Sequence, residues 1–363
     1  MSSVLPFSKA QLLFKLAKRK QFAIPAINVV NTNTINACLR AARKADAPVI
    51  VQLSYGGSAF FIGNPSGKSH RDSIAGAIAA AKYVHEISEL YGVPVMINTD
   101  HCSSALLPWV DALLIEGQQF YEREGSPLFT SHMLDLSELP LHENIEICKR
   151  YLERVSSLDM YLEIELGVTG GEEDGVDNHH IESSRLYTQP EDVAYAYEEL
   201  SKVSNNFVIA ASFGNVHGVY RPGNVKLEPG ILRNSQELIG SRFKAGHNPV
   251  GFVFHGGSGS ELDDIRETLD YGVVKMNIDT DMQWAFWSGV KEYYKKNEQY
   301  LQSQLGSTAA SDSPNKKYYD PRKWLLDAEQ SFVQRLLQAY HDLNATGVLK
   351  LSGRNYAYSP GGN

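Results

Sequence analysis

Three histidines follow apolar, strand-like segments of this chain, and one of them comes directly after an aspartate. Asp100 ends the segment VPVMINTD, and His101 follows it. His217 lies in GNVHG after NFVIAASFG, and His255 lies in FHGGSGS. Imidazoles are frequent zinc ligands, and a catalytic zinc site keeps one position open for substrate. If the fold brings the three histidines together, zinc there would act as a Lewis acid on a carbonyl or lower the pKa of a bound water.

Further polar side chains stand at the ends of other strand-like segments. The additional candidates are Asn28, Ser54, Asp135, Glu163, Glu165, Asn277 and Asp279. Because side chains alternate along a strand, Glu163 and Glu165 face the same way. The same alternation puts Lys275 on one side with Asn277 and Asp279. We expect Lys275 to pair with a carboxylate of the 161–167 segment, because an unpaired buried charge is costly.

Small residues after two of the histidines predict an anion site. Glycines let backbone N–H groups approach an anion closely, and the loops after strands seven and eight of a barrel often bind phosphate. The candidates for this site are Gly218, Gly256, Gly257, Ser258, Asn277, Ile278, Asp279 and Thr280.

The segment GVTGGEEDGVDN at 167–178 carries three consecutive acidic residues between glycines. One interpretation is a solvated run of charges. The other is a mobile loop whose glycines let a carboxylate swing over the site as a general base. The residues alone do not favour either interpretation.

Eight short apolar or β-branched runs alternate with helical patterns and would position these residues. Strands alternating with helices indicate βαβ units and a parallel sheet, and eight units are the number that closes a (β/α)8 TIM barrel. An open doubly wound sheet is the alternative, but no GxGxxG follows the first strand. The runs are FAIPAINV, PVIVQLS, VPVMINTD, FTSHMLDLS, YLEIELG, NFVIAASFG, VGFVFHGG and VVKMNID.

We expect a single domain over residues 1–363, with additional helices at both ends. The segment 1–22 predicts a first helix, with a transit peptide as the less favoured reading. The polar stretch 297–320 reads as a loop or an excursion from the barrel. A C-terminal helical extension begins at about 320, with Asp320 as the N-cap, Pro321 at the first position and Gly347 as a cap at its end. The tail 352–363 is expected to be flexible.

Composition limits the class of protein. The 363 residues are 43% hydrophobic and 21% charged, which is typical of a globular protein with a large core. The net charge of −8 argues against binding to nucleic acid, and no apolar run is long enough to span a membrane. The three cysteines form no CxxC pair and indicate a reducing compartment, so the expected location is cytoplasmic.

The segments INTDHC, LLPW, FTSHMLDLSE, LEIELGVTGGEEDGVDN, ASFGNVHGVY, FVFHGGSGS, VVKMNIDTDMQWA and NKKYYDPRKW resemble class II, zinc-dependent fructose-1,6-bisphosphate aldolases of the long-chain form. The similarity runs from about residue 20 to 345. It implies a homodimeric (β/α)8 barrel that cleaves fructose 1,6-bisphosphate reversibly into dihydroxyacetone phosphate and glyceraldehyde 3-phosphate, through a zinc-stabilised enediolate.

The resemblance also implies roles for individual residues. By motif, His101, His217 and His255 would hold the catalytic zinc, and Asp135 and Glu165 a possible second divalent metal. Asp100 would protonate the aldehyde oxygen, Glu173 would be the loop base, and Asn277 would steady the enediolate. Dihydroxyacetone phosphate would contact Gly218, Gly256–Ser258 and Asn277–Thr280, near a monovalent cation (K⁺ or Na⁺). Asn28 and Ser54 would lie near the other half of the substrate, and Arg322 would reach its far phosphate across the dimer interface.

Two positions depart from the motifs common in the family. Asn98 stands where HSDHC or HTDHC has a histidine, which concerns the residues that support Asp100. Tyr55 stands where SNGG has an asparagine, which would change the rim of the pocket.

Three alternatives remain open. The same chemistry could act on tagatose or sedoheptulose bisphosphate. Lys275 could form a Schiff base, although the three histidines would then have no purpose. The chain could also be a non-catalytic interaction protein of the same fold.

Overall fold

The structure is a computed structural model, and it describes residues 3–64, 69–168, 170–173, 176–177, 186–217, 226–257, 260–307 and 310–351. Only the backbone is described at 170–173, 176–177, 216–217, 307 and 310–312.

Eight parallel strands close into a barrel, which confirms the predicted (β/α)8 fold. Around the barrel the strands follow their order in the chain, and the last strand pairs with the first. Both faces of these strands are covered, so they read as almost continuous apolar runs. The strands are β1 (Ile24–Asn28), β2 (Val49–Leu53), β3 (Val95–Thr99), β4 (Ser131–Leu134), β5 (Tyr161–Leu166), β8 (Phe207–Ala211), β10 (Phe252–Phe254) and β11 (Val273–Ile278).

Helices surround the barrel and alternate with its strands. They are α1 (Phe7–Lys20), α2 (Thr32–Ala45), α3 (Tyr55–Phe61), α4 (His70–Tyr91), α5 (Leu107–Glu124), α6 (Leu141–Ser157), α7 (Pro190–Ser201), α8 (Gly230–Phe243), α9 (Leu262–Asp270), α10 (Thr280–Asn297), α11 (Lys316–Tyr319), α12 (Pro321–Asp342) and α13 (Val348–Leu351). None of the helices in these ranges is long and apolar enough to cross a membrane.

The predicted N-terminal helix α1 lies against the beginning of strand β5. The rings of Phe7 and Phe14 lie 5.3 and 5.5 Å from that of Tyr161, the first residue of β5. The backbone N–H of Leu5 donates to the carbonyl of Val95, the first residue of β3. Helix α1 therefore covers the barrel at the end opposite the predicted site.

The C-terminal extension begins as predicted and ends differently. The Asp320 carboxylate accepts a hydrogen bond from the backbone N–H of Arg322, and Pro321 is in the first turn of α12. Helix α12 packs closely on α10, because a Cβ at Gly289 would lie 2.6 Å from the Cα of Ala328. The prediction that Gly347 caps the helix is wrong.

The end of α12 is formed by residues that precede Gly347. The helix stops at Asp342, and Asn344 takes the left-handed conformation, with φ of 53°. The N–H of Gly347 instead donates to the carbonyl of Ala45 at the end of α2, at 2.7 Å. The cap prediction failed because two left-handed residues lie close together in the sequence, and only the first of them ends the helix.

Two segments predicted as loops contain short strands. In 167–178, β6 (Gly170–Glu173) pairs with β7 (Val176–Asp177) and with β9 (Val216–His217). The excursion at 297–320 contains a hairpin of β12 (Leu305–Ser307) and β13 (Ala310–Pro314). The tail 352–363 lies outside the described residues.

Candidate metal centre and active site

Two of the predicted histidines lie together at the carboxyl end of the barrel. The ring centroids of His101 and His255 are 4.8 Å apart. A Glu165 oxygen lies between them, 3.5 Å from Nδ1 of His101 and 3.3 Å from Nδ1 of His255. One ligand atom from each of the three residues lies within 4.8 Å of the others. This spacing suits a single cation, because two imidazoles and a carboxylate are typical donors to zinc.

The electrostatics of this cluster favour positive charge. Burial lowers the pKa of His255, but the carboxylates of Glu165 and Glu163 outweigh it and raise that pKa to about 9. Asp135 adds a further oxygen, 3.3 Å from Nδ1 of His101. Burial raises the pKa of Asp135, yet hydrogen bonds from His101 and Ser137 bring it down to about 2. A divalent cation supplies the positive charge that these carboxylates attract, so the donor set fits a metal.

A buried ion pair crosses the barrel interior beneath the histidines. Lys275 on β11 bonds to Glu163 on β5, and two strands separate β11 from β5, so the pair spans the interior. This confirms that Lys275 pairs with a carboxylate of strand five. The other Glu163 oxygen lies 2.9 Å from Nε2 of His255. Glu163 therefore holds the imidazole ring and balances the lysine.

Asp100 lies next to the cluster and has one oxygen fixed. Asn28 Nδ2 donates to Asp100 Oδ2 at 2.7 Å. Asp100 is 1% exposed, and its Oδ1 makes no hydrogen bond to any residue in the described ranges. Asn277 is 6% exposed, and its amide nitrogen and oxygen also make no hydrogen bond to any residue in the described ranges. Buried polar atoms normally have partners, so these atoms indicate a place for a polar ligand.

Several predicted residues form the surrounding loops. Ser54 caps helix α3 and accepts from the N–H of Gly57. Gly256 has φ of 62°, a conformation that favours glycine. A Cβ at Gly257 would lie 1.9 Å from Cε of Met276, so glycine allows this close approach.

The segment 278–280 joins β11 to α10. Ile278 is the last residue of β11, Asp279 precedes the helix, and Thr280 begins it. The Asp279 carboxylate accepts a hydrogen bond from Gln283. Helix N-termini attract anions, so the backbone of this turn suits a phosphate.

Arg322 lies apart from these groups, near the start of α12. Its side chain is 87% exposed and bonds to Asp320 through Nε and a terminal nitrogen.

The remaining predicted residues lie partly or wholly outside the described part of the chain. The side chains of Glu173 and His217 lie outside the described part of the chain, as do Gly218 and Ser258. The backbone of His217 is described, and it pairs with Gly171 in the β6–β9 sheet. The acidic segment 167–178 and the segment that contains His217 are therefore joined by backbone pairing between β6 and β9.

The sequence model described as "Fructose-bisphosphate aldolase class-II" matches residues 8–348 of this chain. The chain belongs to the class II fructose-bisphosphate aldolase family. It is similar to the fructose-bisphosphate aldolase class 2 of Escherichia coli strain K12, with 56% identity over 96% of this chain and 100% of the relative.

One solved structure agrees with this class II aldolase assignment, and a second, more distant one shares the fold. The crystal structure of the fructose-bisphosphate aldolase from Campylobacter jejuni matches with a TM-score of 0.87 and 52% identity, over 95% of this chain and 97% of that one. A putative aldolase from Coccidioides immitis, at 22% identity and a TM-score of 0.68 over 94% of this chain and 98% of that one, shares the fold.

Sequence reasoning missed Gln52 and Ser131 in this class II aldolase. Gln52 donates to Asn28 at 2.9 Å and accepts from Asn98 at 2.9 Å, and Ser131 donates to Asn98 at 2.7 Å. A glutamine in the middle of the strand PVIVQLS was the available signal.

The two departures from the family motifs have defined surroundings. Asn98 belongs to this hydrogen-bonded set, next to Gln52. The Tyr55 ring packs edge-on against Trp109 and His70, with centroids 5.5 Å away in both cases. Cys102, which follows His101, is buried, and burial raises the pKa of its thiol, so it is an unreactive packing residue.

Proposed function

We propose that this chain cleaves fructose 1,6-bisphosphate reversibly into dihydroxyacetone phosphate and glyceraldehyde 3-phosphate, with zinc held by His101, His217 and His255. The convergence of His101 and His255 beside Asp100 and Glu165 carries the proposal. Zinc held there would supply a Lewis acid for the former ketone oxygen, on which negative charge develops as the C–C bond breaks. Side chains of the protein itself carry out the acid and base steps.

Asp100 protonates the aldehyde oxygen in the condensation direction and removes that proton in cleavage. The proton sits on Oδ1, because Oδ2 is already engaged by Asn28 Nδ2 at 2.7 Å. Glu173 carries the proton to and from the triose phosphate carbon. Cleavage thus uses two carboxylates at different places, one on a strand end and one on a loop.

Asn277 orients the enediolate. Its buried amide offers an NH2 group as donor and a carbonyl oxygen as acceptor, and neither atom bonds to another described residue. An oxygen of the substrate would satisfy the donor as charge develops on it, which stabilises the transition state more than the ground state.

The phosphate of dihydroxyacetone phosphate binds to backbone N–H groups of the glycine loops and of the α10 N-terminus. These groups belong to Gly218, Gly256, Gly257, Ser258, Ile278, Asp279 and Thr280. A monovalent cation, K⁺ or Na⁺, would neutralise charge beside the loops at Gly218 and Gly256. Asn28 and Ser54 lie near the other half of the substrate, and Asp135 with Glu165 offers oxygens to a second divalent metal.

The enzyme acts as a cytoplasmic homodimer in which Arg322 reaches the far phosphate in the partner's site. Its guanidinium is exposed, and it would bind phosphate by two parallel hydrogen bonds in exchange for its present contact with Asp320. Helix α10 exposes Trp284 and Trp287, which are 60% and 54% accessible and lie three residues apart on one face. Large exposed aromatics on one face are typical of an interaction surface.

The test combines metal analysis with an aldol-cleavage assay before and after chelation. We expect one zinc per chain, loss of turnover with chelator and recovery with zinc. Tagatose 1,6-bisphosphate and sedoheptulose bisphosphate are assayed in parallel, and negligible cleavage of the fructose isomer contradicts the proposal. Inactivation by borohydride in a chelator-resistant enzyme would instead favour a Schiff base on Lys275, although that amine is fully buried against Glu163.

A further inference from the structure

Four polar side chains form one row across adjacent strands of the barrel. Asn28 on β1 is in register with Gln52 on β2, Gln52 with Asn98 on β3, and Asn98 with Ser131 on β4. Each pair is also joined by a side-chain hydrogen bond, at 2.9, 2.9 and 2.7 Å. The row ends on Asp100, which accepts from Asn28. We call this set the polar row.

The polar row has a single direction of hydrogen bonding. A carboxylate only accepts, so Asn28 must turn its Nδ2 to Asp100 and its Oδ1 to the next residue. Gln52 must then donate to Asn28 and accept from Asn98. Asn98 in turn must donate to Gln52 and accept from the hydroxyl of Ser131. Each amide orientation is thus set by its neighbours, starting from the carboxylate.

Burial fixes the orientation of these amide groups. Gln52, Asn98 and Ser131 are each 0% exposed. If one amide turned over, two oxygens or two N–H groups would face each other, and bulk water could not compensate for the lost bonds. The orientation of Asn28 therefore depends on residues that do not touch Asp100.

We propose that Asn98 and Ser131 are positioning residues for Asp100 and act through Gln52 and Asn28. The inference rests on the proposed function, in which Asp100 moves a proton at Oδ1. With the polar row intact, Oδ2 is held by Asn28 and Oδ1 is directed to the substrate. Without it, Gln52 and Asn28 sample other orientations, and the carboxylate loses its fixed direction.

The kinetic test uses Asn98→Leu, with Asn98→His as the matched variant. Leucine removes the donor and the acceptor, whereas a neutral imidazole offers one nitrogen of each kind. We expect Asn98→Leu to lower kcat about tenfold or more with KM changed less than about threefold, because the lost interaction matters in the transition state. Asn98→His should keep kcat within about threefold of wild type. Equal losses in both variants, or no loss in Asn98→Leu, overturn the proposal.

Two further variants separate positioning from stability. Val155→Ala removes buried volume on α6, outside the polar row, and should lower stability without lowering kcat. Ser131→Ala removes the hydroxyl that donates to Asn98 and covers the case in which Asn98→Leu does not fold. It should lower kcat at least about twofold with KM unchanged. An unchanged kcat in Ser131→Ala, or a parallel loss in Val155→Ala, contradicts the inference.

A measurement that needs no turnover keeps the inference distinct from the proposed function. Asn98→Leu, Asn28→Ala and the double variant are unfolded in urea with chelator present. Asn98 and Asn28 share Gln52 as a hydrogen-bond partner, so their effects should be coupled. The factor by which the double variant changes the unfolding constant should differ by about threefold or more from the product of the two single-variant factors. If the double-variant factor equals that product, the proposed coupling through the polar row is wrong. Failure of wild type to cleave fructose 1,6-bisphosphate contradicts only the proposed function.

Discussion

Replacing Lys275 with methionine tests the buried charge balance beneath the metal centre. Lys275 and Glu163 are both 0% exposed and bonded to each other. Methionine has a similar volume, so Lys275→Met leaves no large cavity. Its main effect is to leave Glu163 without its lysine. The result depends on how much of that carboxylate charge is still compensated.

The magnitude follows from the contacts of Glu163. Breaking a buried ion pair by removing one partner costs about 3–5 kcal/mol. In the variant, Nε2 of His255 still lies 2.9 Å from the other oxygen of Glu163 and compensates part of the charge. We therefore expect a loss near the lower end, about 3 kcal/mol, which is roughly a hundredfold change in the unfolding constant.

The effect should depend on pH. Burial raises the pKa of Glu163, but the charge of Lys275 and the contact with His255 outweigh it and lower the pKa to about 2. A carboxylate with a lowered pKa stabilises the folded state above its unfolded pKa, about 4.5, and this contribution is lost as pH falls toward 2. The penalty of Lys275→Met should be largest at pH 7 and smaller at pH 4, where Glu163 can be neutralised in the variant.

The assay is urea unfolding followed by circular dichroism at fixed protein concentration, with chelator present. Bound metal or a partner subunit would otherwise add stability by mass action. The double variant Glu163→Gln/Lys275→Met is the control, and it should recover most of the loss because no buried charge is left unpaired. A change below about 1 kcal/mol in Lys275→Met, or a double variant less stable than the single one, would refute the reasoning.

Three further predictions follow from other parts of the molecule. Burial, helped by the charge of Arg154, lowers the pKa of His132 to about 3. The unfolded chain therefore takes up this proton at higher pH than the folded protein, and the free energy of unfolding falls as pH drops from about 6.5 toward 3. In urea unfolding, His132→Asn should reduce this pH dependence, whereas the exposed control His341→Gln should follow wild type. Asp100→Asn should lower kcat by about 10²–10⁴ with zinc content unchanged, and near-normal turnover would rule out the acid–base role. Trp284→Ala combined with Trp287→Ala should shift the enzyme toward monomer in analytical ultracentrifugation, and an unchanged mass distribution would exclude this face from the interface.

Local patterns in the chain determined much of the fold. Alternating strand and helix patterns predicted the eight-stranded barrel, because parallel strands buried on both faces must be apolar and their helices amphipathic. Asp320 and Pro321 marked the start of α12, because an N-cap acts only on its own helix. The positions of His101 and His255 after their strands predicted a shared site, since the carboxyl ends of barrel strands meet at one mouth.

Tertiary structure decided which partners these residues take. A period of two puts Glu163 and Glu165 on one side, but only the path across the interior assigns Lys275 to Glu163 and leaves Glu165 between the two histidines. The polar row exists because strand register aligns Asn98 with Gln52, and register depends on how the whole barrel closes. No single segment contains that information, because each hydrogen bond joins residues that are distant in the chain and adjacent only after closure.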